Sequence, residues 1–106
     1  MSGRGAQRER AVITLLRDAG FVCYRAAGSH GCADVVALKR NHEPMLIQVK
    51  STAGGPYERF GPSERAALML EAEQAGAAAV LAWWPPRRRV PEWIDSTDWP
   101  AVRAAA

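Results

Sequence analysis

The chain of 106 residues has only two cysteines, Cys23 and Cys32, which form neither a C-x-x-C motif nor a disulfide framework. That scarcity points to a reducing cytosol. No apolar run approaches the ~20 residues that cross a bilayer, so no membrane partner is expected. Residues 1–10 are polar and the segment after them is amphipathic, unlike a secretory leader. Internal repeats are absent, and the length suits one domain over residues 1–106. A strong charge imbalance is missing too, since the net charge is only +3. By itself that is a mild hint of a polyanionic partner.

What is present reads as alternating helix and strand. Residues 1–6, with Gly3 and Gly5 around Arg4, suggest a flexible basic arm. From Gln7 the apolar residues Val12, Leu15, Leu16 and Ala19 recur at helical spacing, and Gly20 is a natural stop. Phe21–Arg25 is a plausible strand, and Ala26–Gly31 a polar loop. Two short apolar runs, Ala33–Leu38 and Met45–Val49, are separated by Lys39–Pro44. This reads as a hairpin with a loop rather than a tight two-residue turn. Residues 51–62 are rich in turn formers, Ser63 is placed to cap a helix ending at Gly76, and Ala77–Trp84 looks like a buried strand stopped by Pro85-Pro86. Val90–Ile94 could add a short edge strand, and residues 95–106 read as a tail. The pattern implies an α/β domain whose mixed central sheet is flanked by helices. The four tryptophans, Trp83, Trp84, Trp93 and Trp99, read as core or interface anchors in preference to base-stacking platforms.

Function must come from the polar residues that interrupt the apolar runs. Asp34 heads one strand, while Gln48 and Lys50 lie two residues apart on the next and therefore share a face. Such groups are costly in a sheet unless paired or bound to metal. A carboxylate and an amide oxygen on neighbouring strands can hold a hard divalent cation such as magnesium. A lysine on the same face can orient a water or stabilise phosphate charge, and Glu9 could complete the set from the first helix. Phosphodiester hydrolysis is the chemistry this suits. The plainer alternatives are an Asp34–Lys50 ion pair with Gln48 hydrogen-bonded beside it, and a Glu9 that merely complements its helix dipole. His30, Cys32 and His42 match no zinc-ligand spacing.

Asp34, a hairpin, then Gln48-Val-Lys50 resembles the signature of the PD-(D/E)xK nuclease superfamily. The wider pattern of Arg4-Gly-Ala-Gln-Arg-Glu9-Arg10, Gly20-Phe21, Arg25-Ala-Ala-Gly-Ser29, Ala33-Asp34-Val-Val-Ala and Gln48-Val-Lys50-Ser-Thr is similar to the archaeal-type Holliday junction resolvases. The similarity covers residues 4 to about 84. It implies a restriction-endonuclease-like core and a homodimeric, magnesium-dependent endonuclease, with manganese as a substitute, that nicks opposed strands of a four-way junction. Carried onto this chain, Glu9, Ser29, Asp34, Gln48 and Lys50 take the catalytic positions, with Glu9, Asp34 and Gln48 as metal ligands. Arg10 and Arg25 match positions that contact DNA phosphates. Arg4, His30 and the basic loop Arg87-Arg88-Arg89 complete the candidate DNA-contact set.

One position departs from the family pattern, where glutamate is usual and this chain has Gln48. An amide keeps an oxygen ligand but loses a charge, which should lower metal affinity. Two other functions therefore stay open beside junction resolution. One is a related nuclease acting on other DNA structures, and the other is a junction-binding protein whose catalysis Gln48 has weakened.

Overall fold

The computed structural model of the chain describes residues 3–26 and 32–101. Five strands form one sheet in the order β1 (Val22–Arg25), β2 (Val35–Lys39), β3 (His42–Ser51), β4 (Ala78–Trp84) and β5 (Glu92–Asp95). β3 and β4 run parallel, and the other neighbours are antiparallel. The parallel pair needs a crossover, which α2 (Pro62–Ala75) provides. The sheet is mixed and flanked by helices, as the sequence pattern implies.

Alternation along the strands sends their apolar residues to two separate cores. On one face, Val12, Ile13 and Leu16 of helix α1 (Gly3–Asp18) pack against Cys23, Val35, Ala37, Ile47, Val49, Val80, Ala82 and Trp84. On the other, Leu68 and Ala72 of α2 meet Leu46, Ala79 and Leu81, with Phe60 and Trp99 closing the edge. Because Gln48 and Lys50 are in phase with Leu46, they belong to the α2 face.

Several expectations need correction. Helix α1 begins at Gly3, so its first residues are not a loose arm, and Ala19 lies exposed beyond the helix end. Gly20 does stop it, with φ +95°. The hairpin is tight: Lys39 pairs with His42 across Arg40-Asn41, with Asn41 at φ +61°. Asparagine tolerates that left-handed conformation. Pro44 then sits inside β3, where the β2–β3 register shifts and just before β4 begins to pair at Met45. A proline is admissible there because no ladder needs its missing donor. Helix α2 takes Gly61 as its N-cap and Pro62 as its first residue, so Ser63 is not the cap. Its left-handed stop at Gly76 is as expected, with φ +65°. The segment after β5 is more than a tail: Asp95 caps a short 3-10 turn over Ser96–Asp98, and Trp99 stacks edge-on against Phe60 with centroids 5.0 Å apart. Trp99 also donates its indole N–H to the Ile94 carbonyl at 3.0 Å.

Candidate active site

Asp34 stands immediately before β2, fixed by its backbone: its N–H donates to the Ile47 carbonyl and its own carbonyl accepts from Ala26, each at 2.8 Å. This directs the carboxylate toward the C-terminal end of β3. There Oδ2 accepts from Gln48 Nε2 and from the Val49 N–H, both at 2.9 Å. Among the described residues no donor reaches Asp34 Oδ1 or Gln48 Oε1, which leaves one oxygen of each for another ligand. Burial pushes the Asp34 carboxyl above the usual carboxylate range; the Val49 N–H opposes this, the Glu9 charge adds to it, and Lys50 and Arg25 work against it.

Glu9, in the second turn of α1, accepts from Arg25 Nε at 2.8 Å, joining helix to strand. With the helix starting six residues earlier in chain order, at Gly3, Glu9 is too far from the first turn to be chiefly a dipole partner. Lys50 does not pair with Asp34. Its Nζ is 3.6 Å from Glu64 Oε2 on α2, so the plain Asp34–Lys50 ion pair is not what forms.

The side chains of Glu9, Arg25, Asp34, Gln48 and Lys50 thus converge at one end of the sheet. Ser29, His30 and the Arg4 side chain lie outside the described residues. Arg10 is exposed on α1. Arg87–Arg89 occupy the β4–β5 connection, with Arg87 lining a pocket beside Arg8 and the other two pointing to solvent.

Beside Lys50 opens a cleft of about 440 Å³ between the start of α1, the end of β3 and residues Glu58-Arg59. Sequence reasoning overlooked Arg8, which lines this cleft, and Glu64. Arg8 adjoins the stretch read as an arm, and the cleft it lines is closed by Lys50–Ala53 and Glu58-Arg59, distant in sequence. Glu64 carries no local signal, because its contact with Lys50 depends on how α2 crosses the sheet. Thr52 was also unmarked: it is buried and takes the Trp83 indole N–H on its hydroxyl at 3.0 Å, which ties the chain leaving β3 to β4.

The donor set suits a hard divalent cation. No group of three or more His, Cys, Asp or Glu side chains is gathered among the described residues, which disfavours an all-protein cage. Two free oxygens, with Lys50 on the same face lining the cleft, suit a cation such as magnesium that keeps several waters and takes one or two carboxylates plus substrate phosphate.

A family model described as archaeal Holliday junction resolvase (Hjc) matches residues 1–102. The fold is similar to that of Hjc, a Holliday junction resolvase from Archaeoglobus fulgidus, with a TM-score of 0.75 and 27% identity over 87% of this chain and 77% of that one. No curated protein matches.

Proposed function

The chain belongs to the archaeal Holliday junction resolvase family and is a nuclease that resolves four-way DNA junctions, and from that premise we propose that it cuts as a magnesium-dependent homodimer. The α/β, PD-(D/E)xK-like fold supplies the frame. The observation that carries the site assignment is the 2.9 Å contact between Asp34 and Gln48, each keeping an oxygen that no donor among the described residues reaches, with Lys50 next on the same face.

In this reading Asp34 Oδ1 and Gln48 Oε1 would hold the cation, and Glu9, which braces Arg25, would add negative charge near Asp34. A bound magnesium ion supplies Lewis-acid stabilisation of phosphate charge and makes a water more acidic. The chain does the rest. Hydrolysis joins a water oxygen to phosphorus, breaks one ester bond and returns a proton to the departing oxygen. Lys50, released from Glu64, places its ammonium against the charge gathering on the non-bridging oxygens. Arg25, held through Nε by Glu9 and partly exposed, would offer its remaining N–H groups to a neighbouring phosphate. Ser29, His30, Arg4 and Arg10 complete the DNA contacts in this proposal. Two copies related by a two-fold axis would present two such sites to two symmetry-related strands. Binding of this kind rests on phosphates and shape and weakens with salt.

Gln48 has a physical advantage in the metal-free protein. Its amide donates to Asp34, where a glutamate would set two carboxylates against each other. The cost is one charge less at the cation. The deciding experiment is cleavage of a labelled fixed four-way junction and a matched linear duplex, in magnesium and in manganese, with Asp34→Asn as control. Paired symmetric nicks on the junction only, lost in the control, are expected. Equal cutting of the duplex would favour a nuclease of other preference, and tight junction binding without nicks in either metal would mean that Gln48 has cost the chain its catalysis.

A further inference from the structure

Adjoining the cleft beside Lys50, and sharing Arg8, Ser51 and Thr52 with it, lies a second pocket, of about 370 Å³, between the start of α1 and the β4–β5 connection. Its polar lining is Gln7, Arg8, Ser51, Thr52 and Arg87, with the Trp84 ring as its floor. No carboxylate lines it, in contrast to the cleft beside Lys50, where Glu58 contributes. Trp84 is 2% exposed, and its indole Nε1–H has no hydrogen-bond partner among the described residues. Trp83 and Trp99 both satisfy theirs. A buried donor left unpaired costs about 1–3 kcal/mol, so the Trp84 ring is held in the pocket wall at the expense of that bond, and its N–H resonance reports on what the pocket binds.

Two arginines supply matching charge. The Arg8 guanidinium lies over the Trp84 ring, 4.6 Å from its centroid, which fixes the cation without consuming its outward N–H groups. Arg87 has φ +64°, although it is not glycine. It is the third residue of a turn closed by the Arg88 N–H to the Pro85 carbonyl at 3.3 Å, with Pro86 before it. Positive φ at that position is met by glycine without strain and by arginine at roughly 1 kcal/mol. An arginine kept in that conformation at the mouth of an acid-free pocket supports a ligand role. Register adds the last link: Ser51 is directly beside Trp84, as Lys50 is beside Trp83, on alternate faces of the paired strands.

We propose that this pocket is a phosphate subsite, formed by Arg8 and Arg87 beside the Trp84 ring, that seats a backbone phosphate next to the one cleaved. The pocket's chemistry stands by itself, whereas its assignment to junction DNA rests on the nuclease reading. The subsite would set where along the strand Lys50 meets the scissile phosphate. It is a binding element, separate from Asp34 and Gln48.

The test uses the full chain, nitrogen-15 labelled and kept in chelator so that no DNA is cut. Indole N–H resonances are followed by NMR during titration with inorganic phosphate at constant ionic strength, then with a fixed four-way junction. Trp84→Phe, which keeps the ring and removes the donor, assigns the Trp84 signal. Both ligands are expected to shift that signal, because they draw on the Arg8 guanidinium over its ring, and inorganic phosphate to leave those of Trp83 and Trp99 in place. Arg8→Gln and Arg87→Gly should each raise the phosphate concentration at half-shift about ten-fold, as loss of one charge-assisted bond predicts. Should Trp84→Phe fail to fold, these two variants decide the matter by themselves. A Trp84 signal unmoved by phosphate, or moved equally in both arginine variants, overturns the subsite. Movement with phosphate but not with a junction shown to bind by gel shift overturns its assignment to DNA. A junction that does not bind at all counts against the nuclease reading, while the phosphate arm still decides the pocket.

Discussion

The two faces of β3 and its neighbours are built from one alternation and come to opposite ends. Toward α1 the row Ile47, Val49, Val80 and Ala82 is apolar and buried without interruption. Toward α2 the row begins the same way, with Leu46 and Leu81, and then gives way to Gln48, Lys50 and, across the hairpin, Asp34. Helix α2 covers the first part of that row, and at its far end Lys50 lines an open cleft. One face therefore stabilises the domain, while the other holds polar groups where apolar ones would pack better. Strand ends on the α2 face are where this fold gives up stability for chemistry.

The largest effects should separate the two rows. Ile47→Ala, at a fully buried site on the α1 face, should lower stability by about 3–4 kcal/mol in urea denaturation. Asp34→Asn should do the reverse: cleavage falls at least about a hundred-fold, near 2.7 kcal/mol in the barrier, while the metal-free protein becomes more stable. The gain follows from the raised Asp34 carboxyl, whose burial disfavours its charge. If Asp34→Asn instead lowered stability in chelator as Ile47→Ala does, the contrast between the faces would be broken.

That contrast has a pH signature. The folded-state carboxyl titrates above its ordinary value of 3.8, so between the two values the native chain holds more protons than the unfolded one. Stability must then decline as pH rises through that interval, with the full penalty present above the folded value. Urea midpoints of the natural protein and Asp34→Asn, measured in chelator, should converge at the acidic end and diverge toward neutrality. Magnesium should close the gap, because a ligand at ten times its Kd stabilises by about 1.4 kcal/mol. A gap that does not change with pH would place its origin elsewhere than in the Asp34 charge.

Gln48→Glu sharpens the same point at smaller scale. It removes the amide donor from Asp34 and sets a second carboxylate beside it, so the metal-free protein should lose about 1–2 kcal/mol. Cleavage should rise at limiting magnesium and the metal requirement fall. No gain across a magnesium titration would show that charge at this ligand does not limit the reaction.

How much of this could be read in the sequence depends on the range of the interaction. Period-two alternation was enough to bring Gln48 and Lys50 onto one face, and glycines at 20 and 76 were legible as stops because a left-handed terminus is a local demand. The tight hairpin was hidden, since Arg40-Asn41 lacks the usual following glycine and Pro44 looks like a breaker until the register shift beside it is known. The start of α1 was hidden by Gly3 and Gly5, which lower helix propensity even though the segment is held by packing through the buried Ala6 and Val12. Trp99 gave no periodic cue, and its place in the α2-side core comes from a contact with Phe60, far away in sequence.

The smallest expected effect concerns how α2 governs the row it only partly covers. Glu64 is exposed and its oxygen is 3.6 Å from Lys50 Nζ, a separation at which a surface pair adds little. Glu64→Gln should therefore change stability by no more than about 0.5 kcal/mol. Its consequence for binding is different, because a phosphate and Glu64 compete for one ammonium. With the carboxylate gone, junction affinity should rise about two- to five-fold, an effect of roughly 0.4–1 kcal/mol, while the rate at saturating DNA stays within about two-fold. Measuring KM and kcat separately decides it. A fall in kcat instead would mean that Glu64 holds Lys50 in its working position, and that α2 completes the polar row rather than restraining it.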